Sequence, residues 1–186
     1  MKLYVTRHCQ SVGNAKKLID DNSAPNGKND MLSEEGKRQA EDLAKKLEDY
    51  KIDLIIISLF KRTRETVEPY LKTHKIPVIT SNLLGERNAG IFAGKDITAM
   101  KLYCQEHNIS DRVSWRPENG ESIFEVYERS KKFLSYLRKN FKGKNVLVCA
   151  HTNFLRCLDI LIKRKDIMDF YFGKELNHGD VKEYQI

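Results

Sequence analysis

The sequence predicts an α/β fold, a three-layer sandwich in which a mostly parallel central sheet carries helices on both faces. Short apolar runs rich in β-forming residues alternate with longer segments of helical periodicity. The β-like runs are residues 2–6, 53–57, 77–80 and 145–150. Strands separated by helices are typical of crossover connections, which make neighbouring strands parallel.

Helix start signals lie between these runs. Ser33 precedes two glutamates and an apolar stripe, which predicts a helix with Ser33 as its N-cap. Ser122 and Glu125 have capping-box spacing and predict a second helix. A third helix should begin near Lys61, and Pro69 is expected to kink it or to end its first segment. Weaker patterns predict a short helix at 97–107, a buried helix at 153–162 and a final edge strand at 181–186.

The chain is predicted to form a single domain over residues 1–186. Its length suits one domain, 40% of its residues are hydrophobic, and no repeat or linker divides it. Residues 87–119 have weak periodicity apart from the short helix. We expect this stretch to form an excursion from the sheet that shapes the substrate side.

Composition and motifs indicate the cellular compartment of the protein and the class of its partners. No apolar run reaches the ~20 residues that a bilayer requires, and the N-terminal run is too short for a secretory signal. The four cysteines form no CxxC pair, which argues against disulfides and structural zinc. We therefore expect a cytoplasmic protein without a membrane partner.

The net charge of +7 favours binding of anions in general, but no stacking or recognition motif indicates nucleic acid. Oligomeric state is left open.

Potential phosphate ligands follow three of the predicted strands. Arg7 and His8 follow the first, Ser58 and Arg62 follow the second, and His151 follows the strand at 145–150. Ligands of open α/β sheets bind outside the carboxyl ends of the strands. Two histidines and two arginines are thus predicted to face one anion.

These residue types suit phosphoryl transfer. Guanidinium forks such as Arg7 and Arg62 match phosphoryl oxygens. A neutral histidine attacks phosphorus when its other ring nitrogen is held by a hydrogen bond, and a second, protonated histidine can neutralise charge. Expelling an alkoxide also needs an acid, for which Glu86 is the best-placed candidate and Glu121 the fallback.

Six segments of the chain also resemble a known family. Residues 5–14 (VTRHCQSVGN) resemble the R-H-G motif that opens histidine phosphatases, with Asn14 at the position of an additional phosphate ligand. The other five follow in the family's order: the first helix at 32–40, the S-P-L-x-R segment at 58–62, the acid-bearing segment at 84–94, the P-x-G-E-S turn at 117–122 and the strand with the second histidine at 146–151. The chain is similar to the histidine phosphatase (phosphoglycerate mutase-like) superfamily over nearly its whole length.

The resemblance implies a set of roles. His8 would carry a phosphohistidine, Arg7, Arg62 and His151 would form the phosphate pocket, and Glu86 would act as acid and base. It implies a small phosphomonoester substrate, no cofactor and no metal. Asn14, Arg87 and Thr152 are the predicted substrate-binding residues.

The sequence departs from the family pattern at three positions. Cys9 and Thr152 replace the glycines that follow the two histidines, and Leu59 replaces a proline. Glycine can supply positive φ or close backbone approach, so larger residues could tilt a loop. Because the catalytic side chains are present, we expect tolerance rather than inactivation. A thiol at Cys9 among cations could also have a lowered pKa and be oxidised, although a small filler residue is the simpler reading.

Three functions fit this pattern. The first is hydrolysis of phosphomonoesters, and the second is a cofactor-dependent phosphoglycerate mutase. Only 34 residues lie between Glu86 and Glu121, which is short for a mutase and favours the phosphatase. Arg87, Arg112 and Arg116 could nevertheless grip a substrate carboxylate. The third is a non-catalytic module that binds a phospholigand. Arg64 and the remaining histidines, His74, His107 and His178, are expected to be surface residues.

Overall fold

Aliphatic runs form the strands of a five-stranded sheet in the computed structural model, which describes residues 1–19 and 29–186. The strands are β1 (Lys2–Arg7), β2 (Leu54–Ile57), β3 (Val78–Thr80), β4 (Asn145–Ala150) and β5 (Val181–Gln185). Their order in the sheet is β3-β2-β4-β1-β5. All neighbouring pairs are parallel except β1 and β5, which are antiparallel, so the predicted edge strand is confirmed.

Helices connect these strands. They are α1 (Val12–Ala15), α2 (Glu34–Leu47), α3 (Lys61–Thr73), α4 (Ala99–Glu106), α5 (Ile123–Asn140) and α6 (Thr152–Lys163). Short 3₁₀ turns cover Asn82–Leu84, Gly90–Phe92 and Ile167–Phe172. None of the helices in the described part of the chain is long and apolar enough to cross a membrane.

The two faces of the sheet carry separate cores. Alternate strand residues point to opposite faces, so Leu3 and Val5 join the core beneath α5 and α6, whereas Tyr4 joins the core beneath α2 and α3. The same alternation in β2 and β4 divides their side chains between these cores. The predicted three-layer α/β sandwich is therefore confirmed.

The capping predictions are also confirmed. The Ser33 hydroxyl accepts a hydrogen bond from the backbone N–H of Gly36. The Ser122 hydroxyl accepts from the backbone N–H of Glu125, whose carboxylate accepts from the Ser122 N–H. A Cβ at Gly36 would lie 2.0 Å from the Gln10 carbonyl oxygen. Glycine at this position therefore lets α2 approach the loop that follows β1.

Helix α3 passes through Pro69 without ending. It runs on to Thr73, and Val67 and Tyr70 are buried on either side of the proline. Proline removes one backbone donor, but its fixed φ is compatible with a helix. Burial of the flanking side chains offsets the lost hydrogen bond, so the helix does not end there.

Candidate active site

The carboxyl ends of β1, β2 and β4 bring the predicted phosphate ligands to one edge of the sheet. His8, Arg62 and His151 are all buried there, and Arg7 lines the adjoining cavity. The ring centroids of His8 and His151 lie 5.0 Å apart. Residues distant in the sequence thus surround one small volume.

The His8 imidazole has a defined tautomer. Its Nδ1 donates to the Cys9 carbonyl oxygen at 2.8 Å, which leaves Nε2 with a lone pair. Burial lowers the pKa of His8 well below its usual value, and the charges of Arg62 and Arg7 lower it further. His8 is therefore neutral, as a nucleophile must be.

His151 is neutral too, in contrast to the expectation of a protonated second histidine. A guanidinium group can only donate, so Nδ1 of His151 accepts from Arg62, whose Nη2 lies 3.1 Å away. Nε2 then carries the proton and donates to the Ser58 hydroxyl at 2.8 Å. Burial lowers the pKa of His151 well below its usual value, and Arg62 and His8 add to the shift. The contact with Arg62 therefore explains why His151 is neutral rather than protonated.

Asp30 is a site residue that the sequence reasoning missed. Its Oδ1 accepts from Nη1 of Arg62 at 2.6 Å, and both side chains are 2% exposed. Its Oδ2 accepts from the backbone N–H of Lys61 at 2.7 Å. Burial raises the pKa of the Asp30 carboxyl, while Arg62 opposes that shift. The only sequence signal was an acidic residue just before the Ser33 helix start.

Glu86 lies beside the phosphate ligands at the N-terminus of α6. Its Oε1 accepts from the backbone N–H groups of Arg87 at 2.7 Å and Asn153 at 3.1 Å. The carboxyl group lines a cavity of about 360 Å³, together with Arg7 and Thr152. Glu86 is therefore placed where a leaving group could enter from solvent.

The fallback acid, Glu121, has a structural role instead. Its carboxylate accepts from Arg129 at 3.1 Å and from the backbone N–H of Asn88 at 2.9 Å. Glu121 is not among the residues that line the cavity next to Glu86.

Asn14 and Thr152 both line this cavity. The Asn14 amide oxygen accepts from the Ser11 N–H in a capping box, so its NH₂ end is the part able to donate to an anion. Thr152 is the first residue of α6, and neither it nor Cys9 has positive φ. The backbone at both positions therefore does not require the family's glycine.

Of the three arginines considered for carboxylate binding, two line the cavity and one does not. Arg87 lines the cavity, but its Nε donates to the Glu121 carbonyl at 2.8 Å. Arg112 lines it too, with its guanidinium carbon 4.5 Å from the centroid of the Tyr171 ring. Arg116 donates to the Gly120 carbonyl and is not among the lining residues.

The prediction for His178 as a surface residue is wrong. Its ring centroid lies 5.5 Å from that of His8, at an interplanar angle of 89°. Its backbone forms a β-bridge with Arg7, which no local sequence signal indicates. His107, by contrast, is exposed directly after the C-terminal end of α4, as expected.

The proposed redox role of Cys9 is not supported. Cys9 is fully buried, and burial raises the pKa of its thiol to about 12. The thiolate is the form that reacts with oxidants. The simpler reading of Cys9 as a filler residue agrees with its surroundings.

Metal ligation has no evident site in the described residues. Across residues 1–19 and 29–186, no group of three or more histidine, cysteine, aspartate or glutamate side chains could hold a metal ion. The expectation of a metal-free reaction stays a prediction.

Solved structures share this fold. YhfR from Bacillus stearothermophilus superposes with a TM-score of 0.87 at 23% identity, covering 100% of this chain and 91% of that one. The alpha-ribazole phosphatase from Shigella flexneri gives a TM-score of 0.82 at 23% identity, with the same coverage of each chain.

Sequence comparison identifies the family. Phosphoserine phosphatase 1 of Hydrogenobacter thermophilus is 29% identical over 181 residues, 93% of this chain and 82% of that protein. A 2,3-bisphosphoglycerate-dependent phosphoglycerate mutase of Methanosarcina mazei is 30% identical over 170 residues, 68% of each protein. The family model of the histidine phosphatase superfamily (branch 1) matches residues 3–172. The chain therefore belongs to branch 1 of the histidine phosphatase superfamily.

Proposed function

We propose that this chain hydrolyses small phosphomonoesters through a phosphohistidine intermediate on His8. One observation carries the proposal: the buried imidazole commits Nδ1 to the Cys9 carbonyl and so presents Nε2 as the nucleophile. Two arginines beside it, Arg7 and Arg62, supply positive charge for the phosphoryl oxygens.

In the first step, Nε2 of His8 attacks phosphorus. The Nε2–P bond forms as the bond from phosphorus to the ester oxygen breaks, and Glu86 gives a proton to the leaving oxygen. A phosphate dianion bound next to Glu86 favours the protonated carboxyl group that this step requires. The products are phosphohistidine, the free alcohol and the Glu86 carboxylate.

In the second step, water attacks the phosphohistidine. The Glu86 carboxylate accepts a proton from the water as the new P–O bond forms and the P–Nε2 bond breaks. Inorganic phosphate leaves, and neutral His8 and protonated Glu86 are restored. Each group therefore returns to its starting form after one turnover.

Arg62 holds the same position through both steps. Asp30 and His151 contact three of its guanidinium nitrogens, so the side chain does not have to be ordered when the phosphate binds. Such preorganised charge is a main source of transition-state stabilisation. We assign Asp30 the role of orienting Arg62.

We place the protein in the cytoplasm, with small phosphorylated molecules rather than nucleic acids or membranes as its partners. The four cysteines support this compartment because they are all free and buried. The cavity next to Glu86, about 360 Å³, is of a size that suits a small ester.

A mutase remains the second candidate because of Arg112. It lies in the wall of the same cavity, stacked on Tyr171, where it could bind a substrate carboxylate. Incubation with 3-phosphoglycerate, with and without 2,3-bisphosphoglycerate, separates the two functions. A mutase interconverts the phosphoglycerate isomers much faster than it releases phosphate, whereas a phosphatase releases phosphate in both reactions.

Trapping of the intermediate tests the proposed mechanism. A phosphate-release screen over metabolites first selects a substrate, which is then used in ³²P-labelled form and quenched during turnover. We expect label that is stable in alkali, labile in acid and absent from His8→Ala, while the exposed His107→Ala control labels normally. Acid-stable label, or label that persists in His8→Ala, would contradict the mechanism. Phosphate binding without hydrolysis of any ester would favour the non-catalytic module.

A further inference from the structure

His178 is a partly buried histidine that the mechanism above does not use. It lies between the turn at Ile167–Phe172 and strand β5. Its backbone bridges to Arg7, and the N–H of the next residue, Gly179, donates to the Arg7 carbonyl at 3.1 Å. His178 is thereby attached to the end of the strand that leads into His8.

The ring of His178 packs against the ring of His8. Their centroids are 5.5 Å apart and their planes are nearly perpendicular, an edge-to-face arrangement favoured by aromatic pairs. His151 contacts the His8 ring as well, with centroids 5.0 Å apart and planes tilted by 57°. Two imidazoles therefore restrict the ring that carries the nucleophilic nitrogen.

Hydrogen bonding does not explain the place of this ring. Nδ1 of His178 is buried and has no hydrogen-bond partner among the residues that the structure describes. A buried polar atom without a partner is unfavourable and calls for an explanation. Packing against the His8 ring is the interaction that accounts for the position of the His178 ring.

The ring is also uncharged under ordinary conditions. Burial, and to a smaller extent the charge of Arg7, lower the pKa of His178 to about 4, while the charge of Asp180 opposes the shift. A neutral imidazole can pack as an aromatic ring without repelling Arg7. Its role beside the phosphate site is therefore steric rather than electrostatic.

The backbone that carries His178 is held in place. Asp180 N–H donates to the Asn177 carbonyl, and the Asn177 amide donates to the Asp180 carboxylate at 2.8 Å. Gly179 has φ of +69°, and a Cβ there would approach the Cys9 sulfur to 3.3 Å. The turn therefore fixes the distance between His178 and the loop after His8.

We propose that His178 is a positioning residue, whose ring holds the His8 imidazole in the orientation for attack on phosphorus. This inference rests on the proposed function, because it requires His8 to be the nucleophile. The hydrogen bond to the Cys9 carbonyl fixes one ring atom of His8 but leaves rotation about that contact. The edge of a second ring limits this rotation.

The test compares His178→Ala, which removes the ring, with His178→Phe, which retains an aromatic ring of similar width. A displacement of about 1 Å at a reacting group can cost on the order of 100-fold in rate, so we expect kcat of His178→Ala to fall about 10- to 100-fold. His178→Phe should remain within about threefold of the wild type, because it restores the edge-to-face contact. His107→Ala is the matched control and should not change kcat.

Three further readouts separate positioning from a general structural effect. Inhibition by inorganic phosphate should change by less than about twofold in His178→Ala, because Arg7 and Arg62 still bind the oxyanion. The loss in kcat should be similar for aryl and alkyl phosphates, since nucleophile placement affects both. The His8 Nδ1–H resonance in NMR spectra should shift in His178→Ala and return toward its wild-type position in His178→Phe.

The outcomes are distinct. Wild-type kcat in His178→Ala, or an equal loss in the Ala and Phe variants, would overturn the inference. If His178→Ala does not fold, His178→Phe decides alone: activity within threefold supports packing by the ring, and a larger loss refutes it. His8→Ala is measured in parallel. Retained activity there refutes the proposed function itself, whereas an inactive His8→Ala with an unaffected His178→Ala refutes only the role of His178.

Discussion

The floor and the mouth of the site are built in different ways. The floor consists of His8, Asp30, Arg62 and His151, which are buried and joined mainly by side-chain hydrogen bonds at the carboxyl ends of central strands. The mouth consists of Arg87, Arg112, Arg156 and Glu175, which lie on the excursion, on α6 and on the segment before β5. In the proposed mechanism, the floor holds the groups that any phosphoryl transfer needs, and the mouth holds groups that can distinguish one ester from another.

The difference follows from solvent exposure. Buried charges at the floor are costly unless they are paired, so their geometry must be fixed before substrate arrives. At the mouth, Glu175 is 51% exposed and contacts both Arg156 at 3.0 Å and Arg7 at 3.6 Å. Ion pairs near solvent contribute little stability and can exchange partners. Selectivity can therefore change at the mouth without disturbing the chemistry.

Apart from loss of the His8 imidazole itself, the largest effect is expected for Glu86→Gln, at the boundary between the two regions. Loss of a general acid costs roughly 10²- to 10⁴-fold in kcat for alkyl phosphates, because alkoxides are poor leaving groups. Activated aryl phosphates need little protonation and should slow far less. Steady-state kinetics over a series of leaving groups checks this, with the exposed Glu118→Gln as control. A small, uniform effect across the series would mean that Glu86 is not the acid.

Asp30→Asn should show how much the floor depends on preorganisation. It removes the negative charge of Asp30 from the buried Arg62 guanidinium, which should destabilise the fold by about 3–5 kcal/mol and lower kcat by roughly 100-fold. Urea unfolding and aryl phosphate hydrolysis measure the two effects. Asp42→Asn, which breaks an exposed pair with Lys45, should change stability by less than about 1 kcal/mol. Equal effects of the two variants would remove the distinction between buried and exposed pairs.

Arg112→Gln probes the mouth alone. A charge-assisted hydrogen bond is worth about 1.5–3 kcal/mol, so KM should rise about tenfold or more for phosphomonoesters that carry a second acidic group. Simple aryl phosphates should keep their KM. Arg116→Gln is the matched control because Arg116 is not among the cavity-lining residues. The same change with both classes of ester would place Arg112 at the phosphate instead.

The smallest effect is expected for Cys9→Ser. Because the thiol is buried and its pKa is raised to about 12, peroxide should inactivate the wild type and the variant at the same rate. Activity remaining after timed peroxide exposure is the measurement. A clearly more resistant variant would restore the redox hypothesis.

Much of the floor could be predicted because each of its strand ends carries a local signal. The β-rich runs predict His8 directly after β1 and His151 directly after β4, and the parallel arrangement brings those ends together. Arg7, predicted to follow the first strand, is its last residue. Ser33 and Ser122 marked helix starts correctly, because capping depends on neighbouring residues alone.

Other features could not be predicted because they depend on tertiary contacts. Asp30 and His178 lie outside periodic segments, and only folding brings them to Arg62 and His8. The neutral form of His151 likewise follows from which of its nitrogens meets a guanidinium group. Local sequence patterns predict which strand, helix or loop carries a residue, whereas these features depend on which other residues its side chain contacts after folding.

The position of β1 within the sheet has a consequence for how the enzyme becomes active. On one side β1 pairs with β4, and on the other with β5, so both of its neighbours come from late in the sequence. Pairing of such distant segments is slow compared with helix formation. During synthesis on the ribosome, β1, which leads into His8, cannot form either pair until residues 145–150 have been made. In refolding, helical circular dichroism should therefore recover before phosphatase activity does.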